Sequence, residues 1–101
     1  MMWLEEYSKG DIVNLKSFDF EKAYIQKHKS LGGANIIFSK LRELIGYEYC
    51  IIFFNNYSAT IINKNSNWFV YTYKTDTQMH IQEYWFVFKN EEDWFTCKML
   101  G

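Results

Sequence analysis

The sequence predicts an α+β domain with two helices in its first half and an antiparallel sheet in its second half. Of the 21 aromatic residues in this chain of 101, 15 lie between Tyr47 and Phe95, in short runs separated by polar turns. The chain has no proline to interrupt those runs. Before Tyr47, apolar residues recur at helical spacing instead. Because this length is ordinary for one hydrophobic core, residues 1–101 are expected to form a single domain.

The first helix is expected over about residues 18–29, after a short strand at 12–15. Ser17 or Asp19 could serve as its N-cap, and the basic residues at 27–29, which include His28, suit the negative end of the helix dipole. His28 is expected to be solvated there. Gly32 and Gly33 are expected to stop this helix.

The second helix is expected over about residues 34–45 and has the clearest periodicity in the chain. Its apolar positions follow the i, i+3, i+4, i+7 pattern of a helix that lies on a sheet. They are Ala34, Ile37, Phe38, Leu41, Leu44 and Ile45. Gly46 is expected to end it.

From residue 47 the apolar period changes to two, which predicts a five-stranded antiparallel meander over about 47–100. The strands are expected at 47–54, 57–63, 68–74, 78–89 and 94–100, because polar turns separate them. Connections this short force neighbouring strands to run antiparallel. The third and fourth strands are apolar on both faces, and two helices can cover only one face. The other face is expected to curl into a partial barrel, to be covered by the N-terminal segment, or to bind a partner.

Charge and hydropathy argue against nucleic-acid and membrane binding. The formal net charge is −1, and Arg42 is the only arginine beside ten lysines. A nucleic-acid-binding domain is normally strongly basic and uses arginine for bidentate contacts. The longest apolar run, 50–54, is far too short to span a bilayer, and no secretory signal is recognisable. A cytoplasmic location is therefore expected.

No residue pattern predicts catalysis, a metal site or a cofactor. His80, near Asp76 and Glu83 in the sequence, could act as a general base, but no positioned nucleophile accompanies it. The spacings typical of zinc or calcium ligands do not occur. Cys50 and Cys97 are expected to be buried reduced thiols, or a disulfide if their strands are neighbours.

The densest charge run predicts either a solvated hairpin loop or a binding surface for a protein partner. Glu91, Glu92 and Asp93 are expected to form an acidic loop between the last two strands. Trp94 beside them is expected to anchor a basic partner, because aromatic residues next to charges are typical of interfaces. Glu83 and Asp76 are expected to extend this patch.

Three function classes remain open. The chain is small, mildly acidic, aromatic-rich and without catalytic motifs, and in this general character it resembles the bacterial immunity proteins. That resemblance implies a cytoplasmic, non-enzymatic inhibitor that neutralises a partner toxin, such as a nuclease, by blocking its surface. The first alternative is a small-ligand-binding domain with an aromatic-lined pocket, and the second is a small enzyme that uses His80. An exposed aromatic sheet edge could also support a homodimer.

Overall fold

The α+β class and two helices are confirmed, although one of the two helices is not where the sequence places it. The computed structural model describes residues 3, 10, 12–14, 18–46, 51–52, 58–60, 67–74 and 81–100. In chain order the elements are β1 (Ile12–Asn14), a 3-10 helix (Phe20–Lys22), β2 (Tyr24–His28), α1 (Leu31–Ile45), β3 (Ile51–Ile52), β4 (Ser58–Thr60), β5 (Trp68–Lys74), β6 (Ile81–Phe88) and α2 (Glu91–Leu100).

The main sheet is open and has the strand order β2-β6-β5-β3. β2, β6 and β5 are antiparallel, but β3 pairs with β5 in parallel, with Ile51 opposite Val70. β4 does not join this sheet, because it pairs with β1 in a separate two-stranded sheet, with Val13 opposite Ala59. The predicted five-stranded meander is therefore wrong. The chain leaves the main sheet between β3 and β5, so these two strands run in the same direction. A partial barrel is not formed by the described strands, since β2 and β3 remain separate edges.

The β5–β6 pair forms the centre of the core and is buried on both faces. Of the three alternatives for the face that the helices do not cover, coverage by the N-terminal segment is the one observed. Phe69 and Val87 lie on one face, in a cluster that the N-terminal segment completes with Trp3 and Phe18. The opposite face packs against α1 and α2. Its buried residues are Trp68, Phe86 and Phe88 from the sheet, Ala34, Ile37 and Leu41 from α1, and Cys97 from α2.

Helix α1 confirms the predicted second helix, with an earlier start. Its N-cap is Ser30, whose Oγ accepts a hydrogen bond of 3.2 Å from the backbone N–H of Gly33. Gly33 therefore lies in the first turn of α1 and does not stop a preceding helix. Leu44 is 61% exposed, so it falls outside the buried stripe in which the sequence places it. Gly46, at a positive φ of 89°, follows the last helical residue.

The predicted helix over 18–29 is wrong. Asp19 does cap a helical turn, with Oδ1 accepting from the backbone N–H of Glu21 at 3.1 Å, but this turn is the three-residue 3-10 helix. The chain then extends into β2, which pairs along its whole length with β6. Pairing with an otherwise open edge of β6 satisfies the backbone of β2 and overrides its helical apolar spacing.

The predicted fifth strand over 94–100 is also wrong, because residues 91–100 form α2. Asn90 begins this helix, and its Oδ1 accepts a hydrogen bond of 3.0 Å from the backbone N–H of Asp93. Three acids in the first turn suit the positive end of the helix dipole. The predicted acidic loop is thus the first turn of α2, and its side chains follow a helical period.

Candidate protein-binding surface

Helix α2 exposes a row of acidic and large apolar side chains. Glu91, Phe95 and Met99 are four residues apart, so they lie in one row along the helix, and Glu92 stands beside them. Phe95 is 57% exposed and Met99 is 75% exposed. These four residues, Glu91, Glu92, Phe95 and Met99, are here called the exposed face of α2.

The opposite side of α2 holds the helix on the sheet and so fixes the direction of this exposed face. Cys97 is fully buried, and Trp94 and Leu100 pack against the same cluster. The Trp94 Nε1 donates a hydrogen bond of 3.0 Å to the backbone carbonyl of Ile25 on β2. The Trp94 ring also packs against Tyr24, with 5.8 Å between ring centroids. Trp94, the predicted anchor, is therefore committed to the fold, and its neighbour Phe95 is the aromatic side chain that projects outward.

Asp93 is half-buried in the first turn of α2. Burial is the main cause that raises the pKa of Asp93; Glu92 raises it further, and a hydrogen bond with Asn90 opposes the rise. Glu91 and Glu92 are exposed. Lys98 is also exposed; it lies seven residues after Glu91 and three after Phe95, and its Nζ is 4.6 Å from the centroid of the Trp94 ring. The exposed face itself presents two carboxylates, those of Glu91 and Glu92.

A shallow, open depression adjoins the acidic end of this face. It has a volume of about 400 Å³ and is lined by Glu91, Glu92 and Phe95. Such a depression combines an aromatic wall with two carboxylates. This combination suits a basic side chain with an apolar stem, such as lysine or arginine, which can use both parts.

The structure brings together four of the six predicted binding residues. Glu91, Glu92, Asp93 and Trp94 share the first turn of α2, with Asp93 and Trp94 half-buried. Glu83 is half-buried on β6, and by strand alternation it lies on the sheet face of Trp85 and Val87, away from α2. Asp76 is outside the described residues.

The sequence reasoning missed Phe95 and Met99 as surface residues. Read as a strand, Phe95, Cys97 and Met99 alternate onto one buried face. In the helix, Cys97 turns inward and the other two turn outward. The available signal was the run from Asn90 to Asp93, which matches a helix N-cap followed by first-turn acids.

A second concave feature lies between α1 and the sheet. This groove has a volume of about 210 Å³ and is lined by Ala34, Asn35, Phe38, Val70, Tyr84 and Phe86. The described part of its lining is mostly apolar, with Asn35 and Tyr84 as its polar members. This groove is a candidate for the aromatic-lined pocket of the alternative prediction.

The prediction that His28 is solvated at a helix end is wrong, because His28 is half-buried on β2. It lies on β2 opposite Tyr84, and its ring packs edge-on against Phe86, with 5.6 Å between ring centroids. Its Nε2 is buried and has no hydrogen-bond partner in the part of the chain that the structure describes. Burial lowers the pKa of His28 below its ordinary value.

The described residues were also compared with what a metal site, a nucleophilic thiol or a membrane-spanning helix requires. Among these residues, no group of three His, Cys, Asp or Glu side chains could hold a metal ion. Cys97 is a buried free thiol, and burial raises its pKa to about 12, which does not suit a nucleophile. Neither α1 nor α2 is long and apolar enough to cross a membrane. Cys50 and His80 are outside the described residues, so the enzyme alternative stays a prediction.

Comparison of the chain with protein-family models, with curated proteins and with solved structures finds no match.

Proposed function

We propose that this chain is a small protein-binding inhibitor, of the kind represented by bacterial immunity proteins, that neutralises a toxin by covering its surface. The exposed face of α2 is the docking surface in this proposal. The observation that carries the proposal is the pair of large apolar side chains, Phe95 and Met99, held in solvent beside Glu91 and Glu92.

The acids alone would not support this function, because first-turn acids stabilise a helix through its dipole. That explanation does not extend to Phe95 and Met99. Fully burying a side chain of this size stabilises by about 1.5–3 kcal/mol relative to exposure. Aromatic residues and methionine are enriched in protein interfaces, and aromatic anchors dominate binding energy. A protein partner that covers this face would bury both side chains.

The charge on this face indicates a basic partner surface. Glu91 and Glu92 can pair with lysine or arginine side chains of the partner at the edge of the apolar contact. Such complementary charges speed association and select among partners. Because the whole chain has a net charge of only −1, this steering is local to α2. A nucleic-acid-binding cleft, which is basic by necessity, is a suitable target.

The test begins with capture of a partner by the immobilised chain and measurement of the partner's activity. A supporting partner is basic and is inhibited by the purified chain at equal stoichiometry. Its binding kinetics change when residues of the exposed face of α2 are substituted. The double variant Glu91→Gln/Glu92→Gln should slow association about tenfold at low salt and less at high salt. Glu43→Gln on α1 is the matched control, because Glu43 is also exposed on a helix.

The apolar contact is tested separately. Phe95→Ala should accelerate dissociation by tenfold or more, as expected when an interface anchor is truncated. Leu44→Ala, which truncates an exposed side chain on α1, should leave dissociation unchanged. Equal binding by the Phe95 and Leu44 variants would remove the exposed face of α2 from the interface. A captured partner whose activity the chain does not alter would remove the inhibitor function.

A further inference from the structure

The groove between α1 and the sheet lies where the side chains packed between them are small. Elsewhere between α1 and the sheet, large side chains fill the space. Near the end of α1, Trp68 fills the space: it stacks on Phe88 at 6.2 Å between ring centroids, with an interplanar angle of 17°. The Trp68 Nε1 also donates a hydrogen bond of 3.3 Å to the backbone carbonyl of Gly46. Near the start of α1, the corresponding space is bordered by Ala34 and Val70. The short side chains of these two residues leave it open.

We propose that this groove binds a small, flat, neutral aromatic molecule of one or two rings that carries one hydrogen-bonding group. Three of the six lining residues that the structure describes are aromatic: Phe38, Tyr84 and Phe86. Aromatic walls favour a flat aromatic guest through offset and edge-to-face packing. No charged side chain is among the described lining residues, which favours a neutral ligand.

The volume sets the size of the ligand. An apolar protein cavity of about 150 Å³ can hold benzene. The groove, at about 210 Å³, has room for one substituted ring or a compact fused pair. It is smaller than the usual sites for drug-sized ligands, which start at about 300 Å³.

Two of the lining residues favour a hydrogen-bonding group on that ligand. Tyr84 and Asn35 contribute a hydroxyl and an amide to the lining. A phenol-like hydroxyl in the groove can serve as a hydrogen-bond partner for either of them.

This site is separate from the exposed face of α2, so it can be tested on the isolated chain without a toxin. The probes are phenol and toluene, which have similar size and shape and differ in the hydroxyl group. Each is titrated into isotope-labelled protein and followed by amide NMR shifts. We expect saturable shifts centred on residues 34–38, 70 and 84–86, with dissociation constants on the order of 1 mM for molecules this small.

Phenol should bind about fivefold to tenfold more tightly than toluene, because only phenol can hydrogen-bond in the groove. Tyr84→Phe should reduce this preference while leaving toluene binding unchanged. Ala34→Leu should abolish binding of both probes by filling the groove, and Val70→Ile, a smaller change, should weaken both. Leu44→Ala, on the exposed side of α1, is the control and should bind as the parent chain does.

Several outcomes would overturn the proposal. They are the absence of saturable shifts with both probes, shifts centred away from the groove, and equal affinity for phenol and toluene. If Ala34→Leu does not fold, Val70→Ile decides the matter, and unchanged affinity in that variant rejects the groove as the binding site.

Discussion

The indole Nε1 of Trp94 donates a hydrogen bond of 3.0 Å to the backbone carbonyl of Ile25, 69 residues earlier in the chain. Ile25 lies on β2, which is an edge strand of the main sheet. Unpaired groups on an edge strand are a template for unwanted pairing with another chain, and covering them prevents it. This bond therefore joins α2 to the sheet and protects part of its edge. It also fixes the rotation of α2 that directs Phe95 outward.

Replacing Trp94 by phenylalanine should destabilise the fold by about 1–2 kcal/mol. The ring is largely retained, but the hydrogen bond to Ile25 and some of the indole packing are lost. The change is measured as the free energy of unfolding in urea. Phe95→Leu is the control: because Phe95 is exposed, its effect should stay within about 0.5 kcal/mol. Equal effects at the two positions would mean that α2 is rotated differently.

Leu41 and Leu44 provide a matched pair for the orientation of α1. Leu41 is 0% exposed, whereas Leu44, three residues later, is 61% exposed. Leu41→Ala should cost about 2–5 kcal/mol, because it removes buried apolar volume and leaves a cavity. Leu44→Ala should cost less than about 0.5 kcal/mol. Urea unfolding of both variants measures this difference, and a loss under half a kcal/mol for Leu41→Ala would contradict the burial of α1.

The parts of the fold that could be predicted from sequence are those where one period dominates. The helical spacing of α1 matches the structure except at Leu44, which is exposed. The apolar pattern on both faces of β5 and β6 also matches, since the helices cover one face and the N-terminal segment covers the other.

The errors occur where a segment is compatible with both helical and strand spacing. Contacts with distant parts of the chain then decide between the two. Residues 24–28 fall within the helix predicted over 18–29, yet they form a strand because they pair with the edge of β6. Residues 94–100 alternate like a strand, yet the cap at Asn90 and the burial of Cys97 make them a helix. This second error also assigned Phe95 to a buried strand face, whereas Phe95 is exposed on α2. The grouping of Glu91 with Glu92 was predictable because they are adjacent in sequence, whereas the groove at Ala34 and Val70 depends on contacts between distant elements.

His28 should make stability depend on pH, in a direction set by its lowered pKa. Burial lowers that pKa from an ordinary value of 6.5, so the unfolded chain binds this proton more readily than the folded chain. The contribution of neutral His28 to folding stability is therefore fully present above about pH 6.5. It is lost as the pH falls through that value toward the folded pKa. Below the folded pKa the loss stays constant.

The measurement is the free energy of unfolding of the parent chain minus that of His28→Gln, at about pH 7.5, 6.5 and 5.5. His80 is present in both chains, so its contribution cancels in the difference. We expect this difference to fall as the pH falls. A flat or rising difference would show that the imidazole is not desolvated in the fold.

Cys97 should be inert to thiol reagents in the folded chain. Its side chain is 0% exposed, and its pKa is raised to about 12 by burial. At about pH 8, such a thiol is roughly one part in 10,000 thiolate, compared with about one part in four for an ordinary exposed cysteine. Because the thiolate is the reactive form and the reagent cannot reach it, labelling should require unfolding.

Alkylation with iodoacetamide, followed by peptide mass spectrometry, measures Cys97 without any substitution in the chain. Labelling should be negligible in native buffer and should rise along the same urea transition that circular dichroism reports. The fully unfolded chain provides the reference rate for an accessible thiol. Native labelling at a rate near that reference would show that α2 detaches from the sheet, and it would also remove the rigid support on which the exposed face of α2 depends. Slow labelling together with a sharp transition would show that α2 unfolds only with the core.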